Sequence, residues 1–319
     1  MPLVLLTGAT GFVGSHLHPR LLAAGFVVRC ATRDPEQAAR ARPGLEWVEL
    51  DVNRSATLEP ALRDVKSAIY LVHGMGAGPG YEERERVSAR AFAAAAASAG
   101  LERIIYLGAV APKGRPSRHL SSRLETGRIL REGPVPVFEL RAGMIIGHGS
   151  ISWQIVRDLA ARLPAMLLPR WLESRSQPLA IDDVVEAIVA TLSLPLGLAG
   201  VHDLPGPETL TAKEILFRIA ALRGRRPVAF SVPVLSPRLS SYWLKFVTGA
   251  DYHVARELVD GLSSDLIAPD SGLWRHLPGH RLVPFDEAAR RAMAEHDQAG
   301  TDSGNVVERA VVPMSKRPG

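Results

Sequence analysis

Cysteine, lysine and long apolar runs are scarce in this chain, and each scarcity excludes a class of protein. Cys30 is the one cysteine among 319 residues, so no intrachain disulfide can form and the composition requires no oxidising compartment. No stretch reaches the roughly 18 apolar residues of a membrane-spanning helix. The apolar N-terminus also lacks the charged segment that opens a signal peptide. The sequence therefore predicts a cytoplasmic protein with no transmembrane segment, and it places Cys30 in a buried strand.

Positive charge comes almost wholly from arginine, because only five of the 38 basic residues are lysines. The densest basic cluster is Arg223-Gly-Arg225-Arg226, a pattern typical of a solvated turn between a helix and a strand. We therefore expect no nucleic-acid partner, although the net charge of +5 favours an anionic ligand. No group of histidines and carboxylates has the spacing of a metal site, so none is predicted.

The first half of the chain alternates short apolar runs with helical stretches, which is typical of a parallel sheet covered on both faces. The predicted strands are Leu3–Thr7, Val27–Thr32, Glu46–Leu50, Ser67–Val72, Arg103–Leu107 and Val135–Arg141. The predicted helices lie near residues 12–24, 35–41, 55–64, 81–99 and 118–132. The predicted fold class is α/β, a Rossmann doubly wound parallel sheet with a smaller, mostly helical C-terminal substrate lobe.

The pattern changes after about residue 148. We predict a helix at 151–163, a strand at Gln177–Ile181, a helix from Asp182 or Asp183 to about Leu194, and a strand at Gly200–Leu204. Thr211 and Glu214 form a capping-box pattern before a helix that runs to Leu222. The predicted domains are a dinucleotide-binding domain at 1–148, to which 177–205 return, and a substrate lobe at 149–176 and 206–297. Residues 298–319 are predicted to be a flexible tail.

A glycine turn at the N-terminus carries the most specific signal. The strand Leu3–Thr7 leads into Gly8-Ala-Thr10-Gly11-Phe12-Val13-Gly14 and then into a helix. In this Gly-x-x-Gly-x-x-Gly pattern the first glycine permits a tight turn, the second lets a pyrophosphate approach, and the third lets the helix pack closely. The pyrophosphate then lies at the helix N-terminus, where free N–H groups favour an anion. The sequence predicts a dinucleotide site here.

The end of the second strand indicates which dinucleotide binds. A carboxylate at this position favours a free ribose 2′-hydroxyl, whereas an arginine favours a 2′-phosphate. Thr32 and Arg33 stand there, and Asp34-Pro35 fits a helix N-cap followed by proline. We therefore predict that Arg33, assisted by Thr32, binds the 2′-phosphate, so that NADP(H) is favoured over NAD(H).

Two glycine-rich stretches suggest other sites but match none. Gly147-His-Gly-Ser150 lacks the Gly-x-Ser-x-Gly elbow of a hydrolase, and the stretch from His73 to Gly80 lacks the Gly-Lys-Ser/Thr ending of a P-loop. The second stretch is either a mobile loop over the nicotinamide or a plain connector. One helical face indicates an apolar substrate pocket, a contact with a membrane surface or core packing of the second lobe, and it carries Leu239, Tyr242, Trp243, Phe246 and Val247. Trp153, Met166 and Trp171 likewise indicate an apolar substrate pocket or ordinary packing.

The chain resembles the extended or atypical short-chain dehydrogenases/reductases, and in particular the NmrA-like and YbjT-like NAD(P)H-binding proteins. The resemblance covers roughly residues 1–205 and rests on motifs at Thr7–Gly14, Leu50–Val52, Ile105–Ala109, Leu140–Gly147 and Ile181–Ile188. It implies that Asp51 and Val52 flank the adenine, and that Val72, His73 and Gly74 line the ribose and pyrophosphate. It also implies that the nicotinamide is bordered by Leu107, Gly108, Ala109, Gly143 and Met144.

The chain departs from this family at the catalytic group. Typical members carry a serine after the fifth strand and a Tyr-x-x-x-Lys on the next helix, whereas this chain has Gly108-Ala109 and then His119 and Arg123. Histidine can donate a proton near neutral pH, but a neighbouring guanidinium disfavours the imidazolium. His119 is therefore a catalytic candidate, with Arg123 beside it; a cofactor contact without catalysis and a plain surface position remain alternatives.

These residues predict an NADPH-dependent reductase acting on a carbonyl or quinone-like small molecule, either monomeric or homodimeric. The alternative is a non-catalytic NADP(H)-binding protein, a redox sensor or an assembly or regulatory factor, because the serine, tyrosine and lysine are missing.

Overall fold

The structure is a computed structural model that describes residues 2–73, 80–114, 116–162, 165–168, 170–225, 228–231, 264–269 and 272–302. Within these ranges no helix is both long and apolar enough to cross a membrane. Gly74, the apolar cluster Leu239–Val247 and residues 303–319 lie outside the described residues, as does most of the glycine-rich stretch after His73.

A seven-stranded parallel sheet forms the centre of the molecule. Its strands are β1 (Leu3–Leu6), β2 (Val27–Thr32), β3 (Glu46–Glu49), β4 (Ser67–Tyr70), β5 (Arg103–Ala109), β6 (Val137–Ala142) and β11 (Gly200–Leu204). They lie in the order β11-β6-β5-β4-β1-β2-β3, and every neighbouring pair is parallel. The order reverses at β1 and β4, and in such sheets ligands bind outside the carboxyl ends of the strands at this point.

Helices cover both faces of the sheet. The helices are α1 (Phe12–Ala23), α2 (Pro35–Ala41), α3 (Leu58–Leu62), α4 (Tyr81–Ser98), α5 (Arg118–Glu132) and α7 (Ile181–Thr191). Leucines of α1 and aliphatic residues of α7 share one apolar core with the sheet, and α3, α4 and α5 share another on the opposite face. Cys30 of β2 is fully buried in the first of these cores, as predicted. The doubly wound fold is thus confirmed.

A smaller lobe has its own apolar core. It contains α6 (Ile151–Arg162), α8 (Ala212–Leu222) and α9 (Phe285–Asp302), together with the short strands β7 (Ile145–Ile146), β8 (Ala165–Leu168), β9 (Arg175–Ser176), β10 (Leu179–Ala180), β12 (Leu210–Thr211) and β13 (Val228–Ser231). The short strands pair as β10-β7, β12-β9 and β13-β8. The buried side chains of α6, α8 and α9 form one cluster, in which Trp153 and Phe285 are almost completely buried.

Helix and strand ends differ from the predictions by a few residues. Thr211 caps α8 with the predicted capping box, in which its hydroxyl accepts from Glu214 N and the Glu214 carboxylate accepts from Thr211 N. Helix α7 begins at Ile181, ahead of Asp182 and Asp183, and ends at Thr191. Helix α9 continues to Asp302, five residues into the segment 298–319 that was predicted to be a tail.

Candidate functional site

The glycine turn between β1 and α1 has the geometry that the sequence requires. Gly8 has a φ of +64°, and a Cβ on Gly14 would lie 2.3 Å from the carbonyl oxygen of Gly8. Both positions therefore exclude larger residues. Gly11 is the N-cap of α1 and provides no capping side chain, so the first N–H groups of the helix are available to a phosphate.

Thr7 fixes this turn to the neighbouring strand, a role that the sequence analysis missed. Its buried hydroxyl donates to the carbonyl oxygen of Ile69 at 3.0 Å and accepts from the backbone N–H of Leu71 at 2.9 Å. These two hydrogen bonds hold the glycine turn next to the carboxyl end of β4. A hydroxyl that ends an otherwise apolar strand is the signal that could have identified Thr7.

A cavity of about 550 Å³, here called the Arg33 cavity, opens beside the turn. The predicted cofactor residues that line it are Gly8, Thr10, Gly11, Thr32, Arg33, Asp51, Val52, Val72 and His73. They come from the ends of β1, β2, β3 and β4, which the sheet order places side by side. Four residues of α4 also line it and were not predicted, namely Tyr81, Arg84, Glu85 and Ser88.

Asp34 is engaged in a structural role at the edge of this cavity. Its Oδ1 accepts from the backbone N–H of Gln37 at 2.8 Å, and Pro35 follows as the first residue of α2. The N-cap predicted for Asp34 is confirmed, and Oδ1 of its carboxylate is used by the helix. Thr32 and Arg33, at the end of β2, line the cavity.

A second cavity of about 410 Å³, here called the His119 cavity, continues along the ends of the central strands. The predicted residues that line it are Gly8, Gly11, Phe12, Val13, Gly14, His73, Leu107, Gly108, Ala109, His119, Arg123, Gly143 and Met144. It shares Gly8, Gly11, Leu71 and His73 with the Arg33 cavity, so the two form one crevice. Of the predicted cofactor residues, only Gly74 has no described position in it.

The far wall of the His119 cavity is mostly apolar. It includes Ile151, Ile155 and Val156 of α6, together with Leu120 and Leu266, which the sequence analysis did not single out. The sequence pattern of residues 151–163 predicted a helix, but only the fold shows which side of that helix lines the cavity. This side of the crevice therefore offers a ligand dispersion contacts more than hydrogen bonds.

Two serines add hydroxyl groups to this wall. Ser150 donates to the carbonyl oxygen of Ile145 at 2.8 Å, and its hydroxyl lies 3.1 Å from that of Ser152. Both serines line the His119 cavity. The stretch Gly147–Ser150 thus contributes to the crevice without the nucleophile geometry of a hydrolase.

His119 and His73 face each other where the two cavities meet. Their ring centroids are 6.2 Å apart in an edge-on arrangement. Burial and the Arg123 guanidinium lower the pKa of His119 to about 4. The pKa of His73 is also lowered, by its depth in the cleft and by Arg123 and His119. Both imidazoles are neutral at pH 7.

Arg123 supplies positive charge at the same place. Its Nη2 donates to the carbonyl oxygen of Leu107 at 2.6 Å, and its own carbonyl oxygen accepts from the Tyr106 hydroxyl at 2.9 Å. The guanidinium is therefore anchored to β5, next to the positions of Gly108 and Ala109. Its Nε is buried and has no hydrogen-bond partner in the described structure. A group with unused donor capacity and a fixed charge can hold a hydroxyl or a developing oxyanion.

The residues present fit a nicotinamide dinucleotide. The glycine turn brings backbone atoms of Gly8 and Gly14 into a contact that a Cβ would prevent, the helix N-terminus is uncapped, and the crevice extends to either side of it. Within the described ranges, no three histidine, cysteine or carboxylate side chains are grouped so that they could hold a metal ion.

Comparisons with known proteins agree with this geometry. A family described as NAD(P)H-binding matches residues 8–162. The chain is similar to a (4-alkanoyl-5-oxo-2,5-dihydrofuran-3-yl)methyl phosphate reductase of Streptomyces griseus, with 30% identity over 72% of this chain and 76% of the relative. It is also similar to a ceramide reductase of Caulobacter vibrioides, with 28% identity over 72% of this chain and 73% of the relative.

A solved structure supports the fold along nearly the whole chain. Citrobacter sp. triphenylmethane reductase, in a complex with NADP(H), superposes with a TM-score of 0.71 and 20% identity. The superposition covers 91% of this chain and 99% of that protein. The glycine turn, the crevice at the reversal of strand order and the reductase relatives lead to one assignment. The chain belongs to the NAD(P)H-binding family of Rossmann-fold oxidoreductases.

Proposed function

We propose that this protein is an NADPH-dependent reductase of an apolar carbonyl or quinone-like small molecule. The observation that carries the proposal is the single crevice with Arg33 at one end and a mostly apolar wall at the other. The first end suits a phosphorylated ribose, and the second suits an uncharged organic acceptor. The names of the two curated relatives, both reductases, support a reduction.

The phosphorylated cofactor is favoured by the end of β2. Oδ1 of Asp34 caps α2 and Asp34 does not line the Arg33 cavity, whereas Thr32 and Arg33 do. Arg33 offers a guanidinium, which binds phosphate with charge-assisted hydrogen bonds. The NADP(H) complex of the triphenylmethane reductase is consistent with this preference in a protein of the same fold.

Arg123 and His119 act on the acceptor in this proposal. When bound, the reduced nicotinamide supplies the hydride. As negative charge develops on the acceptor oxygen, the fixed guanidinium of Arg123 stabilises it. His119, neutral at pH 7, donates a hydrogen bond from its ring N–H and is a weak proton donor. The final proton then comes from solvent or from His119 at low pH.

A non-catalytic NADP(H)-binding role is the second candidate, and a specific observation favours it. β5 ends in Gly108 and Ala109, and α5 carries His119 and Arg123, so the serine, tyrosine and lysine of typical reductases are all absent from their usual positions. A redox sensor or an assembly factor needs only the cofactor site, which is well formed.

Turnover separates the two candidates. We expect the purified chain to oxidise NADPH in the presence of apolar quinones, enones or ketones, followed as the loss of absorbance of the reduced cofactor. Arg123→Gln is expected to lower kcat about 10-fold or more, because it removes the charge while it keeps a polar side chain. Arg20→Gln, on an exposed part of α1, is the matched control.

Two outcomes of this experiment would contradict the proposal or part of it. If NADPH raises the melting temperature but no acceptor in the panel is reduced, the binding role is supported and the reductase proposal fails. If wild type turns over and Arg123→Gln is as fast, the reductase assignment stands and the role of Arg123 is wrong.

A further inference from the structure

Residues 264–269 form a short segment, here called the strap, that brings one apolar side chain to the His119 cavity. That side chain is Leu266, which is half-buried and lines the cavity together with Ile155 and Val156 of α6. Among the residues that the structure describes after α6, Leu266 alone lines this cavity. The strap therefore adds an apolar side chain from a distant part of the sequence to the wall that α6 forms.

An ion pair and a backbone hydrogen bond hold the strap on β9. Nη2 of Arg175 donates to Oδ2 of Asp265 at 2.8 Å, and the backbone N–H of Arg175 donates to Oδ1 of the same carboxylate at 2.8 Å. The backbone N–H of Leu266 in turn donates to the carbonyl oxygen of Arg175 at 2.8 Å. Both oxygens of Asp265 are thus used, and the backbone of Leu266 is fixed directly beside them.

The two ends of the strap contact different parts of the chain, both close to the cavity. Ser264 lies near Gly114 of the loop after β5, since a Cβ on Gly114 would be 3.7 Å from its hydroxyl oxygen. At the other end, the backbone N–H of Ala268 donates to Oε1 of Gln177 at 2.8 Å. The carbonyl oxygen of Gln177 would lie 3.7 Å from a Cβ on Gly143, which lines the cavity. The strap therefore joins the loop after β5 to the segment beside Gly143.

The Asp265 carboxylate lies between positive charges of these two parts. Its pKa is lowered by hydrogen bonds from the backbone and side chain of Arg175, and further by the charges of Arg175 and Lys113. Lys113 belongs to the loop after β5. Because half of the Arg175 side chain is exposed, this pair contributes little to the stability of the fold. Its two-oxygen geometry instead fixes the direction of the strap.

We propose that Leu266 contacts the acceptor, and that Asp265 and Arg175 are positioning residues that hold it in the cavity. The inference rests on the proposed function, which takes an apolar acceptor on this side of the crevice. An apolar acceptor that packs on Leu266 removes its side chain from water, and the gain in binding scales with the area that is buried. The ion pair acts on the acceptor only through the position of Leu266.

Binding of 2-methyl-1,4-naphthoquinone tests the contact without turnover. The chain is saturated with NADP⁺, which cannot reduce the quinone, and the dissociation constant of the quinone is measured calorimetrically. Leu266→Ala is expected to weaken quinone binding about 5- to 10-fold, because most of the apolar side chain is removed. Leu266→Met keeps an apolar side chain and is expected to bind within about twofold of wild type. Leu196→Ala, at an exposed leucine outside the cavity, is the matched control.

A double-mutant cycle tests the positioning role. Asp265→Ala is expected to weaken quinone binding about threefold or more, because the strap loses both hydrogen bonds from Arg175. Added to Leu266→Ala, it is expected to cause no further loss, because the leucine through which it acts is already missing. Asp182→Ala removes another exposed aspartate that pairs with an arginine, and it is expected to bind the quinone as the wild type does.

Three results would overturn the inference or part of it. Equal quinone affinity in wild type and Leu266→Ala, or no quinone binding by the wild type, overturns the contact. Losses that add in the double variant overturn the positioning role, and melting without ligand checks that each variant is folded. Quinone binding without turnover of any acceptor by NADPH leaves the inference intact and rejects the reductase proposal. Turnover with an unchanged KM for apolar acceptors in Leu266→Ala does the reverse.

Discussion

At the scale of single residues, neighbouring charge and burial decide what the histidines of the crevice can do. His119 lies beside a guanidinium that is anchored to the carbonyl oxygen of Leu107, and its pKa is lowered to about 4. An imidazole in that position is neutral at pH 7, where it can form a hydrogen bond to a ligand. It becomes positively charged only in acid. This differs from the tyrosine of typical relatives, whose hydroxyl is the proton donor.

The lowered pKa of His119 predicts a pH dependence of stability. Between about pH 6.5 and 4 the unfolded chain protonates this histidine and the folded chain does not, so stability is lost as the pH falls through that window. His119→Gln is expected to lose about 1–2 kcal/mol less than wild type on going from pH 7.5 to 5. Thermal melting at the two pH values measures this.

The control for removing a histidine is His276→Gln, at an exposed position. An identical loss of stability in wild type and His119→Gln between pH 7.5 and 5 contradicts the lowered pKa. It would also restore His119 as an ordinary acid for the reaction.

At the scale of secondary structure, the glycine turn and α1 form one unit. Helix α1 can start at Phe12 and pack against β1 only because Gly14 has no side chain, since backbone atoms of Gly8 and Ala9 occupy the space a Cβ needs. Backbone atoms cannot move aside as a flexible side chain does.

Substitution of Gly14 tests this unit. Gly14→Ala places a methyl group 2.3 Å from the Gly8 carbonyl oxygen, so the turn must open. We expect a loss of about 1–3 kcal/mol in stability and at least about 10-fold weaker NADPH binding. Gly197→Ala is the control, because its methyl group meets no atom within 4 Å. Wild-type affinity in Gly14→Ala would show that the turn does not hold the cofactor.

Elements with a strong local signal could be predicted from sequence, and contacts between distant elements could not. The parallel sheet, the cap at Asp34 and the capping box at Thr211 follow from periodicity and short-range hydrogen bonds, and all three were correctly predicted. The hydrogen bonds of Thr7 to β4 and of Ser88 to Asn53 join residues 62 and 35 positions apart. No local pattern encodes such pairs, because the fold alone brings them together.

At the scale of the whole molecule, buried charges connect the parts of the chain. The fully buried Asp183 of α7 accepts from His280 at 2.9 Å and from the backbone N–H of Val283 at 3.1 Å. These bonds hold the segment before α9, whose Phe285 completes the core of the smaller lobe. Burial raises the pKa of the Asp183 carboxyl despite its partners. Asp183 therefore ties the segment that precedes α9 to α7, which packs on the central sheet.

A second buried carboxylate stabilises the other side of the sheet. Glu139 of β6 is fully buried and accepts from Arg131 and Arg141, each at 2.7 Å. Gly127 of α5 leaves room for it, since a Cβ there would lie 2.4 Å from the carboxylate. Helix α5, which carries His119 and Arg123, therefore packs closely on the sheet. The ion pairs of Glu139 and the absence of a side chain at Gly127 allow this contact.

Binding of NADP(H) in the crevice is tested by titrating wild type and Arg33→Ala with NADPH and with NADH. We expect saturable binding of one cofactor per chain. We also expect the wild type to prefer NADPH, and Arg33→Ala to lower this preference about 10- to 100-fold with NADH affinity little changed. Arg20→Ala, on α1, is expected to behave as wild type. If neither cofactor binds the wild type saturably, the crevice is not an NADP(H) site, and an unchanged preference in Arg33→Ala would show that the 2′-phosphate does not lie at Arg33.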